Sequence, residues 1–179
     1  MIGNEQLSKI INEKNITRPD LILNELHKGI RSALKQDQSS GETRDGMDIA
    51  LCKIYLKDNY VEYAGAMRPL WVVRNGELIE LKADKQPIGG LDADYRKPFT
   101  NNRFDLIKND SLYMFTDGYA DQFGGEKGKK FMVKNFEKLL IEINNQSMTQ
   151  QLHLLDNRMN DWRGTHEQVD DVLVIGIRI

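Results

Sequence analysis

Two acidic positions stand out for where they fall in the hydrophobic pattern. Asp117 follows the apolar run Leu112-Tyr113-Met114-Phe115-Thr116 and is itself followed by Gly118. Asp170 and Asp171 come directly before a second apolar run, Val172 to Ile179. A carboxylate at the tip of a buried strand is held by a rigid scaffold. Two such tips side by side concentrate negative charge, which a hard divalent cation relieves. Mg²⁺ and Mn²⁺ prefer oxygen ligands and keep several waters, and a pair of them can activate a water and brace a phosphoryl oxygen. Gly118 would let the backbone approach such a metal shell. The same residues have a plainer reading. Asp-Gly is a common turn, and aspartates at strand ends are commonly solvated or bonded to nearby backbone. Spacing alone leaves both readings open.

Other chemistry-bearing residues read as structural. Gly124-Gly-Glu-Lys-Gly128-Lys-Lys is glycine-rich and basic, but its glycines are too close for a P-loop and no Ser or Thr follows the lysines. It reads as a flexible surface loop over the cleft, with lysines that would attract a phosphoprotein. His27, His153 and His166 lack metal-ligand spacing, and His27 and His153 read as surface or capping residues on helices. Arg68-Pro69 reads as a turn with an exposed arginine, a side chain otherwise suited to phosphate. Cys52 lies in an apolar run and reads as a packing residue. Trp71 and Trp162 read as core or edge packing.

The elements that must carry these residues follow from periodicity. Leu7, Ile10 and Ile11 share a helical face that ends near Lys14-Asn15. A second helix opens at Thr17-Arg18-Pro19-Asp20, with proline in the first turn and an acid at the positive dipole end. Leu23, Leu26, Ile30 and Leu34 then repeat at helical spacing. Residues 36–44 are polar and read as a loop. Ile49 to Leu56, the region around Val61 and Tyr63, Phe99 to Leu106, and Ser111 to Thr116 read as strands. Asn75-Gly76 between two apolar runs signals a hairpin. Phe136, Leu139, Leu140 and Ile143 share one later helical face, and Leu152, Leu155, Met159 and Trp162 another. The closing run from Val172 is continuous enough for a central strand buried on both faces. One domain, 1–179, is expected, with mostly antiparallel sheets and helix pairs outside them.

Composition narrows the function classes. The chain has 179 residues, 40% of them hydrophobic and 29% charged, with a formal net charge of −2. That gives no reason to expect nucleic acid or an anionic membrane as partner. No stretch is long enough to span a bilayer, the N-terminus has no signal-peptide pattern, and a single cysteine suits a reducing cytoplasm.

The stretch Tyr113-Met-Phe-Thr-Asp-Gly-Tyr-Ala-Asp-Gln-Phe-Gly-Gly resembles the "TDG" segment of the SpoIIE-like branch of the metal-dependent (PPM-type) serine/threonine protein phosphatases. Gln168-Val-Asp-Asp-Val-Leu-Val-Ile resembles that family's closing "DD" segment. Asp45-Gly-Met-Asp-Ile-Ala-Leu, Tyr63-Ala-Gly-Ala-Met-Arg-Pro-Leu and Pro87-Ile-Gly-Gly fall in the family's order. The resemblance implies an α+β fold, an α-β-β-α sandwich with a two-metal Mn²⁺ or Mg²⁺ centre. It implies hydrolysis of phosphoserine or phosphothreonine by metal-activated water in bacterial signalling. Asp117 and Asp170 match metal carboxylates and are the expected catalytic pair, with Gly118 and Asp171 beside them at the metal. Asp48 matches an aspartate without an assigned metal role. The family's early Asp-x-x-Gly-His-Gly segment has no counterpart here, so Met1 resembles an internal methionine and the first strands are expected to be missing. The expectations that follow are weak or incomplete metal binding, impaired activity and self-association through exposed strand edges. A phosphoprotein substrate, such as an anti-sigma-factor antagonist, is the expected partner. The alternative is a non-catalytic relic of the fold, or a partner-binding signalling module.

Overall fold

The computed structural model describes residues 2–36, 45–90 and 97–179. Met1 and nearly all of the loop read at 36–44 lie outside the described residues. In chain order the elements are α1 (Ile2–Ser8), a π-helical turn (Lys9–Glu13), α2 (Pro19–Ala33), β1 (Gly46–Met47), β2 (Ile49–Tyr55), β3 (Tyr60–Ala66), β4 (Leu70–Arg74), β5 (Glu77–Leu81), β6 (Ile88–Gly89), β7 (Asn102–Asp105), β8 (Ser111–Phe115), α3 (Gly118–Asp121), β9 (Phe123–Gly124), β10 (Lys129–Lys130), α4 (Val133–Ile143), α5 (Met148–Arg163) and β11 (Val174–Arg178). The chain divides into two compact units: Met1–Leu70 with Leu81–Leu106, and Trp71–Glu80 with Ile107–Ile179.

In the first unit, helix α2 begins where its signals put it. Pro19 sits in the first turn and Asp20 is held by Arg18 at 2.7 Å. Its apolar stripe, Ile22, Leu23, Leu26 and Ile30, is buried with Ala64, Ala66, Ile88 and Phe99. An antiparallel sheet in the order β2-β3-β7 and the short pair β1-β6 complete the unit. Asn15 has φ +54°, so the first helical segment ends at the expected residue. The expected face is broken, however. Lys14 N–H bonds back to Lys9 O, an i→i+5 bond that rotates the last turn. Ile10 is buried and Ile11 exposed as a result. The strand expected over 99–106 is shorter, because the Phe99 and Thr100 N–H groups bond to Asn24 and Asp84 side chains instead of a ladder. Cys52 is half-buried, and burial pushes its thiol up to about 12, which suits packing rather than reactivity.

In the second unit, four antiparallel strands run in the order β11-β8-β4-β5. Asn75 and Gly76 have φ +52° and +80°, the two left-handed residues that a tight hairpin turn needs. Phe136, Leu139, Leu140 and Ile143 of α4 pack with Trp71, Val73, Tyr113 and Tyr119 in one core. Helix α5 opens with a capping box between Ser147 and Gln150. Its inner face departs from the expected one: Leu152 is exposed and Gln151 is buried instead. The reason is polar. Gln151 accepts from the Tyr113 hydroxyl at 2.6 Å and donates to the Asn144 carbonyl at 3.2 Å, two buried groups that leucine would leave unsatisfied.

Strand β11 also departs from expectation. Among the described residues it pairs only with β8 and lies at the sheet edge. Leu173 and Ile175 are 53% and 41% exposed, so the strand is not buried on both faces. The glycine-rich segment is not an irregular loop. It forms the β9–β10 hairpin, with Lys129 opposite Gly124. No helix is long and apolar enough to cross a membrane among the described residues.

The sheet end away from Asp117 is fastened by Asp110. Its carboxylate, 1% exposed, takes two bonds from Arg74 at 2.9 and 2.6 Å and one from the Ile107 N–H. Ile179 N–H then bonds to Asp110 O, and Asn109 N–H to Ile179 O. Removing one partner of a buried pair leaves a buried charge unpaired. Arg74→Met, which leaves the buried Asp110 carboxylate without its cation, is expected to cost about 3 kcal/mol in a denaturant titration; a loss under about 1 kcal/mol, the range of exposed pairs, would contradict this account.

Candidate active site

The two acidic segments meet because their strands are antiparallel neighbours. Phe115, the last residue of β8, lies opposite Val174, the first of β11. The chain beyond each strand therefore runs side by side. Thr116 N–H bonds to Leu173 O at 3.0 Å. The Thr116 hydroxyl donates to the Asp171 carbonyl at 2.8 Å and accepts from the Leu173 N–H at 3.0 Å. Gly118 lies so close that a Cβ there would strike the carbonyl group of Asp171. The structure thus brings the Asp117-Gly118 backbone against the Asp170-Asp171 segment.

Each carboxylate has its own surroundings. Asp117 is half-buried at the N-terminus of α3 (φ −71°, ψ −16°). Asp170 and Asp171 are exposed. One Asp170 oxygen accepts from the Asp171 N–H at 2.7 Å, and the Asp170 carbonyl accepts from the Gln168 side chain at 2.8 Å. Asp171 turns its carbonyl inward, toward Thr116.

These donors are the right kind for a hard divalent cation, since they are carboxylate and carbonyl oxygens. Among the described residues no group of three or more His, Cys, Asp or Glu side chains is gathered to hold a metal ion.

The other singled-out residues are engaged elsewhere. In the first unit, Arg68 is only 23% exposed and pairs with Asp48 at 2.9 Å, so it is not a free surface arginine. Met67 beside it takes φ +63°, and the Tyr63 hydroxyl holds the Arg68 carbonyl at 2.5 Å. His27 accepts the Gly89 N–H on Nδ1 at 3.2 Å, a structural role. In the second unit, a Cβ at Gly124 or Gly125 would strike Trp162, and Gly125 N–H bonds to Trp162 O at 2.8 Å. Gly124 lies against the Trp162 backbone carbonyl and Gly125 against its indole ring. Lys130 pairs with Asp121 of α3 at 2.9 Å.

One residue near the acids escaped the sequence reading. Gln122 is fully buried. Its Nε2 donates to the Glu167 carbonyl at 2.9 Å, and its own carbonyl accepts from the Trp162 indole at 3.0 Å. Nothing in the spacing of residues near Asp117 signals this, because its partners lie some forty residues away in the chain.

The family described as "Stage II sporulation protein E (SpoIIE)" matches residues 5–179. Among curated proteins none matches. Solved structures do. The chain is 26% identical to the SiaA-PP2C domain of Pseudomonas aeruginosa, covering 100% of this chain and 68% of that one with a TM-score of 0.87. It is 18% identical to the phosphatase domain of the cell fate determinant SpoIIE from Bacillus subtilis, covering 99% and 73% with a TM-score of 0.55. The Mycobacterium tuberculosis serine/threonine phosphatase PstP/Ppp shares 14% identity over 98% and 80%, with a TM-score of 0.53. These last two likenesses are of fold. The mixed helix and antiparallel-sheet architecture is that of PP2C phosphatase domains.

The tight Gly118 contact gives a direct test of the site's backbone. Gly118→Ala forces a methyl against the Asp171 carbonyl and is expected to cost about 1–3 kcal/mol, a drop of several degrees in the calorimetric midpoint. A midpoint equal to that of the wild type would show that the two segments are not in contact.

Proposed function

The chain belongs to the SpoIIE family of phosphatase domains, and from that premise we propose that residues 1–179 act as one metal-dependent phosphoserine and phosphothreonine phosphatase domain in bacterial signalling. By family it is a hydrolase. The observation that carries the reading is the juxtaposition of Asp117-Gly118 with Asp170-Asp171 at the ends of paired strands. Asp117 and Asp170 are the carboxylates this chain offers to Mn²⁺ or Mg²⁺, with Asp171 and Gly118 shaping the approach. Among the described residues no group of three or more metal-ligating side chains gathers, and weak or incomplete metal binding and reduced activity belong to the proposal. The substrate is a phosphoprotein, of which an anti-sigma-factor antagonist is one class. The basic β9–β10 hairpin, with Lys127 and Lys129 exposed, would favour an anionic partner. The alternative reading is a non-catalytic partner-binding module that keeps the fold.

Hydrolysis of p-nitrophenyl phosphate with and without Mn²⁺ separates the two. Mn²⁺-dependent turnover that falls to background in Asp117→Asn is expected for a phosphatase. Equal background from both proteins would leave the partner-binding reading standing.

The reading also includes self-association. Among the described residues the outer edge of β11 has no partner strand; Ile175 in the strand and Leu173 just before it are exposed. Such an edge pairs readily with another chain, here a second copy. Light scattering is expected to give a mass that rises with protein concentration; a monomer at the highest concentration reached would sink this part.

A further inference from the structure

From the hydrogen bonds around the acidic segment we infer that Thr116 and Gln122 are positioning residues, a two-point clamp that holds residues 167–173 against Asp117. The inference rests on the functional reading only for what the clamp serves; the clamp itself is a matter of geometry.

Thr116 fixes one end. Its hydroxyl spans the gap between Asp171 and Leu173, donating to one carbonyl and accepting from one N–H. A hydroxyl can do both at once, and no apolar side chain of the same shape can do either. Together with the Thr116 N–H bond to Leu173 O, three bonds converge on this one residue. They carry the β8–β11 ladder past its last regular pair, Phe115 with Val174, up to the acidic residues.

Gln122 fixes the other end. Its side chain is buried beneath the turn after α5, and Nε2 donates to both Phe123 O and Glu167 O at 2.9 Å. The orientation of the amide is forced. Flipping it would point the oxygen at two carbonyl acceptors, so the NH₂ group must face Glu167. The cost of this arrangement is visible, since Gln122 Oε1 is buried without a hydrogen-bond partner in the structure. A buried polar atom left unpaired is unfavourable, so packing alone would favour an apolar residue here. What the glutamine adds is the tether to Glu167, three residues before Asp170.

The two clamping residues lie on either side of Asp117-Gly118, within one seven-residue stretch. Asp170 and Asp171 are exposed and lie before the edge strand, and apart from Val172, which packs against the core, the segment is fixed chiefly by hydrogen bonds. Segments with few buried contacts and exposed hydrogen bonds open locally at low cost. The clamp sets how far Asp170 wanders from Asp117.

Amide hydrogen exchange on the metal-free full chain tests this without any need for activity. In Thr116→Val, exchange across 168–173, and at the Leu173 amide above all, is expected to quicken about 3- to 10-fold, the range for losing one or two hydrogen bonds. Amides of α4 should stay as in the wild type. Thr116→Ser keeps the hydroxyl and should restore protection. Gln122→Glu has the same size and places a carboxylate against the Phe123 and Glu167 carbonyls. It should loosen 165–170 more than Gln122→Met, the reverse of what packing alone predicts. Unchanged exchange at Leu173 in Thr116→Val, with native α4 protection, overturns the inference. So does equal loosening in the serine and valine variants. Mn²⁺ titration followed by electron paramagnetic resonance adds a second readout, with Thr116→Val expected to bind several-fold more weakly than Thr116→Ser. Absence of Mn²⁺-dependent hydrolysis in the wild type would count against the proposed function alone, because the exchange results stand without it.

Discussion

The antiparallel pairing of β8 with β11 is the constraint on which the acidic site depends. Antiparallel neighbours place the end of one strand beside the beginning of the other. The residues after Phe115 and before Val174 are therefore forced together, although more than fifty positions separate them in the chain. Register matters as much as adjacency. A slip of one residue would turn every side chain of β11 to the opposite face and move Asp170 along the sheet. The register is secured at both ends. At one end Thr116 bonds to Asp171 and Leu173. At the other, Arg178 Nε bonds to Ser111 Oγ at 2.9 Å, and Ile179 N–H to Asp110 O.

Packing behind the sheet explains why this pairing can be rigid while its acidic end stays open to solvent. Trp71, Phe115, Phe136 and Tyr119 form a chain of ring contacts, with centroids 4.4 to 5.9 Å apart. Such contacts bury large apolar area at low entropic cost. The Tyr113 and Tyr119 hydroxyls reach across to α5, at Gln151 and at the Leu155 carbonyl. The core thus fixes β8 from behind, while β11 is held by its ladder together with Val174, which packs on the same core. The free energy that keeps Asp117 in place comes from buried aromatic packing. Asp170 and Asp171 are kept in place by hydrogen bonds at the surface together with the packing of Val172 beside them.

This division also decides what could be read from the sequence. The helices of α2 and α4, the Asn75-Gly76 turn and the strand leading into Asp117 were legible, because each is set by local periodicity or by a turn that only certain residues form. The pairing of the two acidic tips was legible only through the resemblance, since spacing alone allowed ordinary turns. The edge position of β11 was not legible. A continuous apolar run says that a strand seeks burial, not where in the sheet it lies. Gln151 was missed because its partner Tyr113 lies in a strand thirty-eight residues earlier. Gly124 and Gly125 looked like a mobile loop because the indole they accommodate is also distant in sequence. In each case local composition was read correctly as chemistry but not as address.

Trp162 carries a consequence of a different kind. Its indole N–H shares the Gln122 carbonyl with the Phe131 N–H, and its ring lies over the glycines of the hairpin and edge-on to Phe131. The other tryptophan, Trp71, is sealed in the core and 3% exposed. The half-buried indole is therefore a built-in optical reporter. Its emission will follow the hydration and polarity of the very carbonyl to which the acidic segment's anchor belongs, against a constant background from the core.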